Sequence, residues 1–261
     1  MNFPLTQAPV ADVRRDRPAQ RTVIELPAMT ARPVTPIVML PGMDGTGRLF
    51  DSFSDSLSSD YRPVPISFST TRPESYDDLE TFVRSAIAEI DQPFALLAES
   101  FSGPLAIRIA ASPPSKLVAL ILVATFLRPP VSPRWRHLAR PLTFRRSPPR
   151  MAVRHLLVGR HADARLVTSV VEAIRVVKPE VMACRAREIL SVDVSEQFAA
   201  VELPILFIQG TRDRLVRADR SALDELNAGI KWAELDAPHL VLQAAPSEAA
   251  AATSTFLQAI T

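Results

Sequence analysis

The chain has 261 residues, of which 47% are hydrophobic and 22% are charged, and its formal net charge is +2. This composition excludes an intrinsically disordered chain, because such chains are poorer in apolar residues and less balanced in charge. The small net charge argues against nucleic acid as the main partner, since phosphate recognition needs a dense basic face. Cys184 is the sole cysteine, so an intrachain disulfide is excluded.

The first 21 residues mix proline, arginine and aspartate without a sustained apolar period. We expect residues 1–21 to form a mobile arm. They lack the uninterrupted apolar segment of a signal peptide, and no stretch of the chain reaches the roughly 20 apolar residues that a membrane span requires. We therefore expect a cytoplasmic protein without a membrane span.

Beyond residue 36 the sequence alternates between short apolar runs and helical patterns. The apolar runs predict six strands, at residues 37–40, 63–68, 94–98, 117–124, 204–209 and 232–235. The helical patterns predict five core helices, at residues 48–58, 76–90, 101–111, 218–228 and 246–260. Continuous apolar strands that are separated by helices indicate a parallel sheet covered on both faces. We therefore predict an α/β fold with a mostly parallel, doubly wound sheet.

The alternation is interrupted between residues 127 and 200, a segment that we call the insert. Its first part contains six prolines, and helix-like apolar spacing follows around Val153 and Val167. The pattern predicts a mostly helical cap, inserted into a core formed by residues 22–126 and 201–261.

Ser100 stands where the apolar run 94–98 ends and a helix begins, in the sequence Ala-Glu-Ser-Phe-Ser-Gly. A serine that attacks esters needs a sharp strand-to-helix turn, which lifts its hydroxyl above the sheet. The helix N-terminus behind the serine stabilises negative charge. Small residues two positions before and after the serine permit this turn, and here they are Ala98 and Ser102. The pattern makes Ser100 a candidate nucleophile.

Two other interpretations of this segment stay open. Ser102 could be the nucleophile, although Pro104 would follow it at the second position and its hydroxyl would lie one turn inside the helix. Ser100 could also be an ordinary capping residue of a strand-to-helix turn. The position of Ser100 in the alternation favours the catalytic interpretation.

A glycine-rich loop, residues 40–47, follows the first predicted strand and reads Leu-Pro-Gly-Met-Asp-Gly-Thr-Gly. Its glycines let the backbone turn tightly and aim N–H groups into a cavity. A phosphate-binding loop is the alternative, but the lysine of G-x-x-x-x-G-K-[ST] is missing and G-x-G-x-x-G is not matched. Nucleotide binding is therefore disfavoured.

Asp213 and His239 are the candidate partners of the serine. Asp213 closes a loop directly after the apolar run 204–209, and His239 lies between the last predicted strand and the terminal helix. The other three histidines all fall in the insert. A carboxylate after a strand is more often a cap or turn residue, but the chain order Ser, Asp, His is the order of α/β-hydrolases. A carboxylate in this place can orient an imidazole and stabilise its protonated form.

From about residue 36 to the C-terminus, the chain resembles the α/β-hydrolase superfamily. The motifs that carry the resemblance are L-P-G-M-D-G-T-G, A-E-S-F-S-G, G-T-R-D-R-L-V and A-P-H-L. The resemblance implies that Ser100, Asp213 and His239 form a catalytic triad, with no metal or cofactor. It also implies an oxyanion hole made by the backbone N–H groups of Met43 and Phe101. The sequence departs from the usual pattern twice, because Pro41 replaces a common histidine and Ser102 replaces the second glycine around the serine.

The expected function is hydrolysis of a carboxylic ester through an acyl-enzyme, with a small-molecule acyl ester as substrate. A thioesterase or an acyltransferase of the same fold is the second interpretation, because the sequence does not reveal which nucleophile attacks the acyl-enzyme. A non-catalytic protein that binds a ligand in the same pocket is the alternative from another class.

The insert is strongly basic. Between residues 128 and 193 it carries thirteen arginines and one lysine against five carboxylates, a net charge of +9. A solvated helical face is one interpretation of this charge. The other is attraction of an acidic substrate or carrier, and the architecture is also similar to that of the pimeloyl-carrier-protein methyl ester esterases. That resemblance predicts an acidic acyl carrier protein as a partner that docks on the insert.

Overall fold

The structure is a computed structural model that describes residues 34–260, apart from the side chains of Pro133, Trp135 and Arg136. The arm predicted at residues 1–21 lies outside the described residues. None of the described helices is both long and apolar enough to cross a lipid bilayer.

A sheet of six strands forms the centre of the described chain, and all neighbouring strands are parallel. The strands are β1 (Thr35–Leu40), β2 (Tyr61–Pro65), β3 (Phe94–Glu99), β4 (Leu117–Val123), β5 (Ile205–Gly210) and β6 (Ile230–Leu235). Their order across the sheet is β2-β1-β3-β4-β5-β6. The predicted parallel sheet is confirmed.

Helices cover both faces of this sheet, as its apolar strands require. The α-helices are α1 (Asp51–Ser56), α2 (Tyr76–Ala88), α3 (Gly103–Ala111), α4 (Arg150–Ala152), α5 (Ala164–Arg175), α6 (Pro179–Ile189), α7 (Ser195–Ala199), α8 (Arg220–Leu226), α9 (Val241–Ala244) and α10 (Pro246–Gln258). Successive side chains of a strand point to opposite faces. Val38 accordingly belongs to a buried cluster that includes residues of α2, α3, α7 and α8, and Met39 belongs to a second cluster that includes residues of α1, α9 and α10.

Some element boundaries differ from those predicted. The strand predicted at 63–68 is β2, which includes Pro63 and Pro65 and ends earlier; a strand at the sheet edge tolerates prolines because one side needs no hydrogen bonds. The helix predicted at 48–58 is a 3-10 turn, Arg48–Phe50, followed by α1. The helix predicted at 218–228 is shorter, because the Asp219 carboxylate caps its first turn by accepting from the Ala222 N–H.

The insert lies between β4 and β5, and most of its residues are helical. Besides α4 to α7 it contains two 3-10 helices and one π-helix, at Pro133–Leu138, Pro141–Phe144 and Val153–Val158. It contacts the core beside His239, because the Leu240 N–H donates to the Leu157 carbonyl at 2.9 Å. Val153, Val158 and Val170 form a buried cluster with Leu240.

Candidate active site

Ser100 lies directly after β3 and begins a 3-10 turn, Ser100–Ser102, which leads into α3. Its φ of 50° is in the left-handed region, which side chains other than glycine rarely adopt. A strained backbone at this turn is the geometry of a nucleophile elbow. The turn is held by the Thr125 hydroxyl, which donates to the Ser100 carbonyl at 2.6 Å.

Gly103 explains how the turn works without the usual second glycine at position 102. A Cβ atom at residue 103 would lie 1.8 Å from Thr125 Oγ1, so only glycine lets α3 approach β4 this closely. Ser102 is fully buried, and its hydroxyl donates to the Pro41 carbonyl. This contact ties the turn to the glycine-rich loop and leaves the Ser102 hydroxyl out of reach of a ligand.

The three residues of the predicted triad are in hydrogen-bond contact. Ser100 Oγ lies 3.0 Å from His239 Nε2, and His239 Nδ1 lies 2.8 Å from Asp213 Oδ2. The carboxylate makes Nδ1 the protonated nitrogen, which leaves Nε2 free to accept the serine proton. His239 is 4% exposed and Asp213 is 1% exposed, so water is largely excluded from their contact.

The Asp213 carboxylate is held by further donors. Oδ1 accepts the N–H groups of Leu215 at 2.8 Å and Val216 at 3.0 Å, and Oδ2 accepts from the Gln209 side chain at 3.3 Å. These bonds fix the orientation of the carboxylate that faces His239.

The loops after β5 and β6 carry Asp213 and His239, and they meet because carboxyl ends of parallel strands share one edge of a sheet. Gly210 permits this meeting: a Cβ atom there would lie 2.4 Å from the Ala237 carbonyl oxygen and 2.5 Å from that of Pro238. Any larger residue at position 210 would push the histidine loop away.

The glycine-rich loop passes beside Ser100, with Gly45 and Gly47 at φ values of 71° and 70°. Met43 lines the same cavity as Ser100, and its N–H donates no hydrogen bond to any part of the chain that the structure describes. Phe101 is the second residue of the 3-10 turn, where a backbone N–H has no partner within the helix. The arrangement therefore leaves two N–H groups available near the serine.

Arg185, on α6 of the insert, holds this loop, and sequence reasoning missed it. The side chain is only 1% exposed. Its guanidinium donates to the carbonyls of Met43, Asp44 and Ser69, each at 2.9 Å. The guanidinium also lies 5.9 Å from the ring centre of Phe101, a cation–π distance. The sequence carried no signal for this role, because Arg185 is one of thirteen arginines in a basic segment.

A second buried charge-bearing group that sequence reasoning missed is Glu99, which precedes Ser100. Burial, reinforced by the charge of Asp44, raises the pKa of the Glu99 carboxyl to about 8. Oε2 accepts from the Gln243 side chain at 3.3 Å, and Oε1 has no hydrogen-bond partner among the described residues. Glu99 is therefore mostly protonated at neutral pH.

The Glu99→Gln substitution should make the folded state progressively more stable than wild type as pH rises. With a folded pKa of about 8 and an ordinary value of 4.5, wild-type Glu99 stabilises the fold fully below pH 4.5 and loses that contribution as pH approaches 8. Glutamine resembles the protonated acid and has no such loss. At about 1.4 kcal/mol per pKa unit, the difference in unfolding free energy between pH 5 and pH 8 should reach a few kcal/mol.

Urea denaturation at pH 5 and pH 8 measures this difference. The control is Glu202→Gln, which neutralises an exposed loop carboxylate and should show no comparable pH dependence. Equal stability of the Glu99→Gln variant and wild type at both pH values would show that Glu99 ionises freely in the fold.

An apolar cavity of about 250 Å³ opens over Ser100 and His239. The described residues of the insert that line it are all apolar: Pro130, Val131, Leu157, Val170, Ile174, Met182 and Ile189. Asp44 and His239 are the only ionisable side chains among its described lining residues. A larger hollow of about 610 Å³ lies beside α8, but Ser100 does not line it. None of the insert arginines whose side chains the structure describes lines the cavity over Ser100.

The described residues contain no group of three or more His, Cys, Asp and Glu side chains placed to hold a metal ion. A parallel sheet covered on both faces, with polar side chains gathered at its carboxyl edge, places this site where α/β proteins bind their ligands. The sequence profile of the alpha/beta hydrolase family matches residues 37–253. The chain therefore belongs to this family, and the predicted superfamily is confirmed.

Solved structures show the same fold at low sequence identity. An enol-lactonase from Burkholderia xenovorans LB400 is 18% identical, with a TM-score of 0.70, over 86% of this chain and 92% of the other. A thermophilic esterase from Thermogutta terrifontis is 17% identical, with a TM-score of 0.76, over 87% and 90%. A structure from a study of carboxylesterases of Nitrososphaera gargenis is 16% identical, with a TM-score of 0.72, over 87% and 91%. A comparison with curated proteins finds no match.

Proposed function

We propose that the protein is a serine hydrolase that cleaves carboxylic esters through an acyl-enzyme. The observation that carries the proposal is the chain of hydrogen bonds from Ser100 through His239 to Asp213, with distances of 3.0 and 2.8 Å, beside an apolar cavity. The family membership and the esterases among the structural neighbours support it.

In the proposed mechanism, His239 Nε2 takes the proton of Ser100 as the serine oxygen attacks the ester carbonyl. Asp213 holds the imidazole and stabilises its positive charge. The N–H groups of Met43 and Phe101 donate to the oxyanion of the tetrahedral intermediate. His239 then protonates the departing alcohol, and water that is deprotonated by the same imidazole releases the acyl group from Ser100.

The proposed substrate is a neutral ester with a short or medium apolar acyl group. The cavity is lined mostly by apolar side chains, and the one carboxylate among its described lining residues is that of Asp44, which would repel a carboxylate on the substrate. The insert acts as a cap, because its side chains supply much of the cavity wall. The lining gives no support to a charged substrate, and the carrier protein predicted from the basic insert stays a prediction.

A panel of p-nitrophenyl esters tests this function. We expect turnover of neutral esters, with an optimum at a limited acyl length, and at least tenfold lower kcat/KM for esters of the same length that end in a carboxylate. An enzyme that reacts once with such esters and then stays acylated would be an acyltransferase, because its acyl-enzyme would require an acceptor other than water. Absence of any acylation would contradict the proposal.

A variant pair tests whether the insert limits the acyl group. Ile174→Phe should shift the optimum toward shorter acyl chains, because Ile174 lines the cavity. Val176→Phe adds the same ring to the end of the same segment at a residue that is 47% exposed, and should leave the optimum unchanged. An identical dependence of kcat/KM on acyl length in both variants would show that Ile174 does not contact the acyl group.

A further inference from the structure

A second, basic hollow lies on the outer side of the loops that carry Asp213 and His239. It has a volume of about 190 Å³ and is lined by His155, Arg160, His161, Arg212 and Arg214, together with Gly159 and Pro238. The histidines and Arg160 come from the insert, and the other two arginines flank Asp213. The hollow is therefore built by the insert and the core together.

The hollow has more hydrogen-bond donors than acceptors. Arg214 Nη1 lies 2.5 Å from His155 Nε2, and Arg160 Nε lies 3.4 Å from His155 Nδ1. A neutral imidazole has one acceptor nitrogen and one N–H donor. Arg214 Nη1 also lies 3.3 Å from His155 Nδ1, so both ring nitrogens have a guanidinium nitrogen nearby and at most one of them can accept a hydrogen bond. The hollow therefore lacks a hydrogen-bond acceptor for the donors around His155.

The charges of the hollow are also unbalanced. Arg212 pairs with Asp236 at 2.6 Å, whereas Arg160 and Arg214 form no ion pair with any carboxylate in residues 34–260. The positive charge of Arg214, with smaller contributions from desolvation and Arg160, lowers the pKa of His155. Two guanidinium charges thus face one another across an imidazole without a counterion.

The walls of the hollow are fixed by contacts of the backbone. The Arg154 side chain donates to the carbonyls of Arg160 and Ala162, at 3.3 and 3.0 Å, and so holds the turn that presents Arg160. Gly159, at a φ of 86°, lies close to Pro238, since a Cβ atom there would be 3.6 Å from the Pro238 ring. These contacts hold the backbone from which the Arg160 side chain projects.

We propose that this hollow binds a phosphate group between Arg160, Arg214 and His155. The guanidinium groups of arginine match phosphate oxygens in pairs, and two unpaired guanidinium charges balance a phosphate dianion. A phosphate oxygen also supplies the acceptor that the imidazole contacts lack. The site is separate from the apolar cavity and does not depend on the proposed ester chemistry.

Calorimetric titration with inorganic phosphate at constant ionic strength, with chloride as the balancing anion, tests the site. Wild type should bind phosphate, and Arg160→Gln/Arg214→Gln should bind it at least tenfold more weakly. The control Arg145→Gln/Arg146→Gln removes the same charge from two exposed arginines of the insert outside the hollow and should bind within twofold of wild type. Equal weakening in both double variants, or no binding by wild type, would overturn the proposal.

An NMR titration gives a second readout, because the chain has only four histidines. Bound phosphate should raise the pKa of His155, since a negative charge stabilises the imidazolium. The pKa of His155 should stay unchanged on adding phosphate to the Arg160→Gln/Arg214→Gln variant. An unchanged pKa of His155 in wild type at saturating phosphate would contradict the placement of the phosphate group beside His155.

Competition kinetics would identify the source of the phosphate group. If the group belongs to an ester substrate, inorganic phosphate should raise the KM of an ester with a phosphate on its alcohol and leave that of the matched neutral ester unchanged. If free phosphate is the ligand, both esters should respond alike. Both outcomes require that wild type binds inorganic phosphate in the calorimetric titration.

Discussion

The Ser100→Gly variant should lose ester hydrolysis and nevertheless be more stable than Ser100→Ala. Removal of the nucleophile of a serine triad lowers kcat by a factor on the order of 10⁴ to 10⁶. The backbone of Ser100 has a φ of 50°. A left-handed conformation costs a non-glycine residue about 1–2 kcal/mol, whereas glycine adopts it freely.

The expected gain in unfolding free energy is reduced by about 0.5–1 kcal/mol, because glycine also makes the unfolded chain more flexible. Ser100→Gly should therefore exceed Ser100→Ala in unfolding free energy by roughly 0.5–1 kcal/mol. Both variants lack the hydroxyl that contacts His239, so their difference isolates the backbone. Denaturation and initial-rate assays on the same preparations measure the two effects. Lower stability of the glycine variant would show that the turn is unstrained.

The Arg185→Met variant should lose both stability and turnover. Methionine leaves three carbonyl groups without their donor, one buried at Asp44 and two partly buried at Met43 and Ser69, and removes the contact between the insert and the loop of Met43. An unsatisfied buried polar group costs about 1–3 kcal/mol, so the total loss should be about 3–5 kcal/mol. Arg185 acts as a positioning residue, since it contacts the loop and not the reacting atoms.

The kinetic effect should fall on kcat. Misplacement or loss of an oxyanion donor costs about 10²-fold, and KM should change much less because Arg185 does not line the cavity. Arg185→Lys should restore turnover only in part, because a lysine cannot reach three carbonyls with a planar fork. The control Arg187→Met removes an exposed arginine on the same helix. An unchanged kcat in a folded Arg185→Met enzyme would limit Arg185 to a structural role.

The fold and much of the site could be predicted from the sequence because they depend on local patterns. Apolar runs and helical periods predict the six parallel strands, and the position of Ser100 after a buried run predicts the turn. The order of Ser100, Asp213 and His239 along the chain predicts their contact, since the parallel strands β3, β5 and β6 that precede them end at one edge of the sheet.

Other features depend on contacts between distant segments and carry no local signal. Arg185 and the loop of Met43 are about 140 residues apart in sequence, and their contact exists only once α6 packs on the core. In the sequence, nothing distinguishes Glu99 from an exposed polar residue beside a serine. In the fold, its side chain is buried near Asp44 and Gln243. The net charge of the insert could be counted from the sequence, but the face of the insert that meets the cavity could not be predicted. In the structure, the apolar side of the insert lines the cavity.

The most direct test of the triad is covalent labelling with a fluorophosphonate, followed by tryptic digestion and tandem mass spectrometry. Ser100 and Ser102 share the tryptic peptide 85–108, so fragmentation must separate them. We expect one adduct, on Ser100, with labelling abolished by Ser100→Ala, strongly slowed by His239→Ala and retained by Ser102→Ala. An adduct on Ser102, or ester turnover that continues without any adduct on Ser100, would contradict the role of Ser100 as the nucleophile.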